Sequence, residues 1–292
     1  MTFYLVAGSG ASTTPTVSDD HVPSKRVRRY PSDTTDAEWQ LIAPLIPTGQ
    51  PSRRGGRPPT HPRRDIVDAI RYLAHNGCVW RALPADFPPW KTVYDYHARW
   101  TADGTVNHLH NHLRDQVRAA AGRDREPAAA IIDSQSVRAA ETVARSSRGY
   151  DAGKKVNGRK RHIAVDTIGL LLVVAVSAAS VQDRHAGRTL IWAMRTCYRN
   201  IRLTWADSGY SGTLTDYATA LGITVMIVAK LAGQIGFQVL PRRWVVERTL
   251  SWISRCRRTV RDYERLPEHH AAIVQWSMIT VMSRRLARHH RT

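Results

Sequence analysis

The sequence is short of acidic residues and of cysteine, and it has no long apolar run. Asp and Glu together number 24 in 292 residues, whereas Lys and Arg number 43. The three cysteines are scattered without Cys-x-x-Cys spacing, so neither a disulfide framework nor a structural zinc site is indicated. The longest apolar run, residues 170–179, is too short to span a bilayer, and the N-terminus lacks a basic signal-peptide region. We therefore expect a soluble cytoplasmic protein that does not contact membranes.

The imbalance of charge gives a formal net charge of +19 at pH 7, well beyond what solubility requires. Nucleic acid is the partner that best fits so basic a surface. A chain rich in Arg and Ala can also arise from GC-rich coding. That bias explains why Arg is used rather than Lys, but it does not explain the excess of cations over acids.

The chain divides into a helical front and an alternating α/β body. Residues 1–30 are rich in Ser, Thr and Pro and predict a disordered leader, and residues 31–122 predict a small helical N-terminal DNA-binding domain. A helix is expected over 36–45, capped by Thr34 or Thr35, and another over 65–76 that stops at Gly77. The aromatic, Pro-bounded turn that follows favours a helix-turn-helix-like unit, and an ordinary aromatic helical core is the alternative.

The body is expected over residues 127–285, with a basic tail over 286–292. Apolar and alternating runs predict strands at 128–132, 161–167, 170–177, 201–206 and 224–228. Helical patterns lie at 187–199 and 213–221, and a further helix opens at Pro241. Strand, hairpin, strand, helix, strand, helix is the order of a ribonuclease-H-like core, so the fold class is α/β.

Three acidic residues stand out within this body. Asp133 and Asp207 each close an apolar run, and Glu247 lies inside an amphipathic, Arg-rich helix. Chemistry at a phosphodiester needs an activated hydroxyl on one side and a stabilised leaving oxygen on the other, which two Mg²⁺ ions held by hard oxygen ligands provide. Each acid also has a plainer interpretation: strand-end turn residues for the two aspartates and a surface ion pair for the glutamate. Their joint placement favours the metal site.

Five motifs carry a resemblance to a known family: ALPADFPPWKTVYDYHARW, AAIIDSQSVR, GKKVNGRKRHIAVDTIGLLL, LTWADSGY and LPRRWVVERTLSWISRCRRTVRDYERLP. In order and spacing they resemble the DDE transposases of bacterial insertion sequences, in the group named after insertion sequences four and five. The resemblance implies a ribonuclease-H-like catalytic core, two Mg²⁺ ions with Mn²⁺ as a substitute, and cutting and joining of double-stranded DNA at terminal inverted repeats. It also implies a homo-oligomer in the synaptic complex and a nucleoid-associated protein without a nucleotide cofactor.

Position by position, Asp133, Asp207 and Glu247 match the metal-binding acids of the family. Arg243 matches the basic position of its Tyr-Arg-Glu-Lys signature. The chain departs from that signature at two positions, with Leu240 in place of Tyr and Ser254 in place of Lys. In the VQDRHAG segment it keeps Asp183 but has His185 where a second acid is expected.

Basic residues around these acids are the predicted DNA contacts. The run GKKVNGRKR is expected on the rim of the active site, and RRGGRPP resembles an arm for the minor groove. A solvated loop and a plain basic linker are the alternatives for these two segments. The predicted contacts are Lys154, Lys155, Arg159, Lys160, Arg161, Arg242, Arg243, Arg248, Arg54 and Arg57.

The sequence therefore predicts a transposase that cleaves DNA strands and transfers them to target DNA. Two other functions remain open at this point. One is a DNA-binding protein without catalysis, such as a decayed or domesticated copy. The other is a nuclease of the same fold that only hydrolyses.

Overall fold

A computed structural model of the chain describes residues 4–7, 24, 26–47, 60–228 and 242–289. A helical N-terminal region precedes a mixed α/β body, as the sequence predicts. The helices are α1 (Asp36–Ile42), α2 (Arg63–Asn76), α3 (Trp90–Ala102), α4 (Thr105–Ala120), α5 (Asp183–Cys197), α6 (Thr213–Ala220), α7 (Arg243–Ser254) and α8 (Pro267–His289). The strands are β1 (Tyr4–Ala7), β2 (Ala129–Arg138), β3 (Gly149–Asp151), β4 (Val156–Asp166), β5 (Leu171–Ala178), β6 (Leu203–Ala206) and β7 (Thr224–Ile227).

Local chemistry predicts where the first helix begins and where the second helix ends. Thr35 caps α1: its hydroxyl accepts from the Glu38 amide at 3.2 Å, and the Glu38 carboxylate accepts from the Thr35 amide at 3.0 Å. This reciprocal pair satisfies two amides that have no partner within the helix. Helix α2 ends at Gly77, whose φ of 73° lies in the left-handed region that glycine adopts without strain. Both predictions are confirmed.

The strands form one mixed sheet in the order β1-β5-β4-β2-β6-β7, with β3 paired to β4. Strand β4 runs antiparallel to both β2 and β5, whereas β6 pairs in parallel with both β2 and β7. The β4–β5 hairpin turns at Gly169, which has a φ of 86°. The five strands expected from the sequence are all present.

Side chains of the sheet pack into two hydrophobic layers, one on each face, because successive residues of a strand point to opposite faces. On β2, Ile132 joins one cluster with α5 and α6, whereas Ile131 joins the other cluster with α7 and α8. The sheet is therefore covered on both faces. No helix in the described residues is long and apolar enough to cross a membrane.

The N-terminal helices share their hydrophobic core with the body. Helix α8 packs against α1, α2 and α4 as well as β5, and Trp100 of α3 lies 6.5 Å from Trp276 of α8 between ring centroids. Helix α2 is buried around most of its circumference. One continuous cluster thus crosses the predicted boundary at residues 122–127, and the aromatic residues after α2 contribute to an ordinary core. A DNA-reading role for these helices stays a prediction.

Two terminal predictions need correction. Within the predicted leader, residues 4–7 form strand β1, which pairs with β5 from Tyr4↔Val176 to Ala7↔Val173. The adjoining Ser- and Pro-rich composition hid a short apolar segment that fits the free edge of β5. At the other end, α8 continues to His289 with Leu286 and Ala287 buried, so the first residues of the predicted tail are helical core.

A buried ion pair ties the sheet to the segment before α8. Arg159 Nη1 on β4 lies 3.0 Å from Asp262 Oδ2, and neither side chain is exposed. The guanidinium also donates to the carbonyl oxygens of Glu264 and Arg265, each at 2.9 Å. Burial alone would raise the pKa of Asp262, but His270 and Arg159 outweigh it and hold that pKa at about 2. Asp262 is therefore ionised throughout the physiological range.

We expect Asp262→Asn to lower the free energy of unfolding by roughly 3–5 kcal/mol, because a buried guanidinium loses its counter-charge. Urea unfolding followed by circular dichroism measures this loss. The control is Lys91→Met, which breaks an exposed i,i+4 pair with Asp95 and should cost no more than about 0.5 kcal/mol. Equal losses for the two variants would contradict the structural role of the buried pair.

Candidate active site

Asp133 and Asp207 meet on neighbouring parallel strands. Strand β2 pairs with β6 from Ala129↔Leu203 to Ile131↔Trp205, and the same register continued places Asp133 beside Asp207. Asp207 directly follows β6, as predicted. Asp133 does not end its strand, because β2 continues to pair with β4 as far as Arg138. It lies instead where β2 loses its parallel neighbour, so its carboxyl faces the opening left by the end of β6.

The two aspartates influence each other electrostatically. Burial of the Asp133 carboxyl and the nearby charge of Asp207 raise the pKa of Asp133 to about 6. The Ser134 amide, which donates to Asp133 Oδ1 at 2.7 Å, and the cations Arg243 and Lys154 oppose this rise. Asp133 thus holds a charge that its surroundings only partly compensate, which is the electrostatic condition for binding a cation.

Glu247 reaches the same place from α7. The buried side chains of Val245, Val246, Thr249 and Ile253 hold one face of α7 against the core, so Glu247 projects from the opposite face, 48% exposed. Arg243 Nη2 lies 3.7 Å from Glu247 Oε1 and 3.9 Å from Asp207 Oδ2. One nitrogen therefore lies between two of the predicted acids and close to the third.

The donor chemistry fits a hard divalent cation, since carboxylate oxygens are the ligands that Mg²⁺ and Mn²⁺ prefer. Asp133 and Asp207 are the adjacent pair that would hold the ion, and Glu247 is the third donor. As the side chains lie, no group of three or more His, Cys, Asp or Glu in the described residues is close enough to chelate a metal. The Arg243 guanidinium supplies positive charge at that position.

The structure corrects the predicted basic rim. Strand β4 begins at Val156, so Arg159, Lys160 and Arg161 belong to a central strand and are 0–5% exposed. Arg159 forms the ion pair with Asp262, and Arg161 donates to Gln135 Oε1 and to the Thr259 carbonyl. The prediction of solvent-facing DNA contacts is wrong for these three residues, because each cation is engaged inside the protein.

The other predicted contacts fall into three groups. Lys154 and Lys155 are exposed in the turn before β4, and Lys154 Nζ lies 3.3 Å from the Ser134 carbonyl oxygen, next to Asp133. Arg242 is exposed beside the acids with its guanidinium 4.8 Å from the Trp205 ring. Arg248 points away from them and donates to the Ile168 carbonyl at 2.9 Å. Arg54 and Arg57, like Leu240 of the signature, lie outside the described residues.

Comparison with known proteins decides the family. Residues 124–282 match the family described as "Transposase DDE domain". The chain belongs to the DDE transposases. Residues 34–110 match a second family, "Putative transposase of IS4/5 family", so both halves of this transposase point to the same group.

Two known proteins are similar in sequence to smaller parts of the chain than the DDE domain match covers. An uncharacterised protein, y4sN, from Sinorhizobium fredii (strain NBRC 101917 / NGR234) is 28% identical over 113 residues, which are 39% of this transposase and 82% of the relative. A "Putative transposase for insertion sequence element IS402" from Burkholderia cepacia is 29% identical over 125 residues, 40% of this chain and 59% of the relative. No solved structure matches this transposase.

Two residues that were given no role in the sequence lie beside the acids. Asp183, the first residue of α5, is held by Lys160 Nζ at 3.2 Å. A Cβ placed on Gly209 would lie 3.1 Å from Asp207 Oδ1 and 3.7 Å from Asp183 Oδ2, so the two carboxylates flank that glycine. Tyr210 is fully buried, and burial together with the nearby aspartates raises its pKa, whereas its contact with the Ser134 side chain opposes the rise. In the sequence, the signal for Asp183 was the VQDRHAG segment, and the signal for Tyr210 was that it follows Asp207 closely. His185, the departure from the family pattern, is exposed.

In protein free of divalent metal, Asp133→Asn should raise the free energy of unfolding at pH 7.5 by about 1–3 kcal/mol. The folded protein raises the pKa of this carboxyl from 3.8 to about 6, so its ionisation opposes folding. The gain should shrink as pH falls from 6 towards 4 and vanish below 4, where the carboxyl is protonated in both states. Urea unfolding across this pH range measures it.

The matched control is Asp216→Asn, which neutralises an exposed carboxylate on α6 and should not raise the free energy of unfolding at pH 7.5. If Asp133→Asn were no more stable than the parent protein at pH 7.5, the ionised Asp133 carboxyl would not destabilise the folded state, contrary to the prediction.

Proposed function

We propose that this transposase cuts DNA at the terminal inverted repeats of an insertion sequence and joins the freed ends to target DNA. One observation carries the proposal: the β2–β6 register brings Asp133 beside Asp207, and Glu247 and Asp207 share one Arg243 nitrogen within 4 Å. Residues distant along the chain thus converge at one opening of the sheet. Membership in the DDE transposase family supports the same reaction class.

A ribonuclease-H-like core is the fold that we propose for the body. The strand order supports it: three antiparallel strands, β5, β4 and β2, lie on one side, and the parallel strands β6 and β7 extend from β2 on the other. In this arrangement the first strand of the core, β2, is central, and its neighbour β6 ends at the acidic opening.

Divalent metal fits this site, since domains of this family generally use such ions. Asp133, Asp207 and Glu247 would hold two Mg²⁺ ions, which Mn²⁺ could replace. When bound, the ions polarise the attacked phosphate and stabilise the leaving oxygen. Arg243 would then leave the carboxylates and contact a phosphate oxygen of the DNA, where its positive charge would stabilise the negative charge of the phosphate.

The remaining tasks fall to the chain's own side chains. Lys154 beside Asp133 and Arg242 beside Trp205 lie at the rim, where they position phosphates without reading sequence. In the first step water attacks phosphorus and the bond to the 3′ oxygen breaks, which leaves a 3′ hydroxyl. In the second step that hydroxyl attacks a target phosphodiester, so one phosphorus–oxygen bond replaces another. Reading of the terminal repeat falls to the N-terminal helices, and a homo-oligomer brings two ends together.

We expect Asp207→Asn to abolish cleavage of a duplex that carries the element's terminal repeat, in the presence of Mg²⁺, while binding of that duplex is retained. Loss of one carboxylate removes a metal ligand without removing a rim cation. Gel analysis of labelled strands measures cleavage, and fluorescence anisotropy measures binding. Asp216→Asn is the control of equal charge change and should cleave normally.

The products distinguish the neighbouring functions. A joined product in a strand-transfer assay supports the transposase reaction, whereas cleavage without joined product identifies a hydrolytic nuclease. Binding with no metal-dependent nicking by the parent protein identifies a non-catalytic copy. Undiminished cleavage by Asp207→Asn would mean that the acids are wrongly assigned.

A further inference from the structure

A large cleft lies away from the three acids, between the segment before α1, the end of α7 and α8. Its volume is about 860 Å³, within the range of ligand-binding sites in proteins. Four arginines line it, with one histidine and one tryptophan beside them. We call this the cationic cleft, and its basic and aromatic lining consists of Arg255, Arg284, Arg285, Arg288, His75 and Trp252.

The two acids that line the cationic cleft are already engaged. Asp33 lies 2.8 Å from Arg26, and Glu38 lies 2.8 Å from Arg71 and accepts from Ser283 at 2.9 Å. Both carboxylates are buried. Glu38 Oε1 also lies 3.9 Å from Arg284 Nε, so among the described residues Arg255, Arg285 and Arg288 are the lining arginines without an ion-pair partner.

Neighbouring cations in this region repel one another electrostatically. Burial and then Arg71 lower the pKa of Arg284, and burial followed by Arg284 lowers the pKa of His75. Arg71 is fully buried, and its Nε and Nη1 atoms have no hydrogen-bond partner among the described residues. Arg71 and Arg284 share the single carboxylate of Glu38. Like charges that are only partly compensated are stabilised when an anion binds.

Helix α7 links the cationic cleft to the candidate active site, because Trp252 and Arg255 line the cleft and Glu247 lies further towards the start of the helix. Glu247, Ser251 and Arg255 follow one another at four-residue spacing, so they lie along one exposed side of the helix. Eight residues of helix span about 12 Å. At about 3.4 Å of axial rise per nucleotide of one strand, that distance corresponds to three or four base pairs.

We propose that the cationic cleft binds the phosphate backbone of double-stranded DNA a few base pairs from the phosphate that is cut. The proposal rests on the proposed function, because it takes DNA as the substrate of the acids on α7. It adds α8 to the DNA-binding surface. Backbone contacts of this kind position the duplex and carry no sequence information.

The test compares two double variants with the same change of charge on opposite faces of the sheet. Arg285→Gln with Arg288→Gln removes two cations from the cationic cleft on α8. Arg195→Gln with Arg199→Gln removes two exposed cations at the end of α5, on the other face. Binding of a duplex is measured by anisotropy at several salt concentrations, with Ca²⁺ present so that the DNA is not cut.

For the cleft variant we expect the slope of log affinity against log salt to become shallower by about two, because each phosphate contact contributes about 0.9. The variant on α5 should keep the parent slope. Arg285→Lys with Arg288→Lys retains the charges and should also keep it. Thermal melting checks that all variants fold.

Equal slopes for the cleft and α5 variants would overturn the proposal, since the effect would then follow net charge alone. An unchanged slope in the cleft variant would overturn it as well. Failure of the proposed function is a separate result, because cleavage depends on Asp207 whereas this slope is measured without cleavage. Duplexes shortened by four base pairs on each side in turn give a second measurement. The variant and the parent protein should show the same salt slope only with the duplex from which the four base pairs facing the cationic cleft have been removed. With the duplex shortened on the other side, their slopes should still differ.

Discussion

Burial of the Asp133 carboxyl next to the charge of Asp207 is the constraint on which the candidate active site depends. Parallel pairing of β2 with β6 forces the two side chains together, and burial makes the charge of Asp133 harder to hold. The protein tolerates this arrangement because Arg243, Lys154 and a backbone amide lie beside it. Such a site gives up stability in the absence of a cation and regains it when one binds.

The same balance of charge explains how a very basic chain folds. Much of its positive charge is used internally, since Arg159 pairs with Asp262, Arg71 with Glu38 and Arg118 with Asp166. These pairs join elements that are far apart in sequence. The net charge of +19 therefore overstates how much positive charge the protein presents to solvent.

Local patterns predicted most of the elements. The cap at Thr35, the stop at Gly77 and the hairpin turn at Gly169 follow from rules that involve only a few neighbouring residues. The basic run over Arg159 and Arg161 misled for a physical reason: adjacent charges usually indicate a solvated loop, whereas here partners from the segment before α8 and from β2 satisfy them. No local pattern contains those distant partners.

The sequence by itself determined the order of most strands and helices and the excess of positive charge, because each is a property of composition or of local periodicity, and it singled out the three acids as candidates. Only the tertiary structure decided which acids meet. The β2–β6 register, the face that α7 presents and the place of Asp183 beside Gly209 all arise from contacts between distant segments. It also decided which cations are free, since burial depends on what packs against a residue.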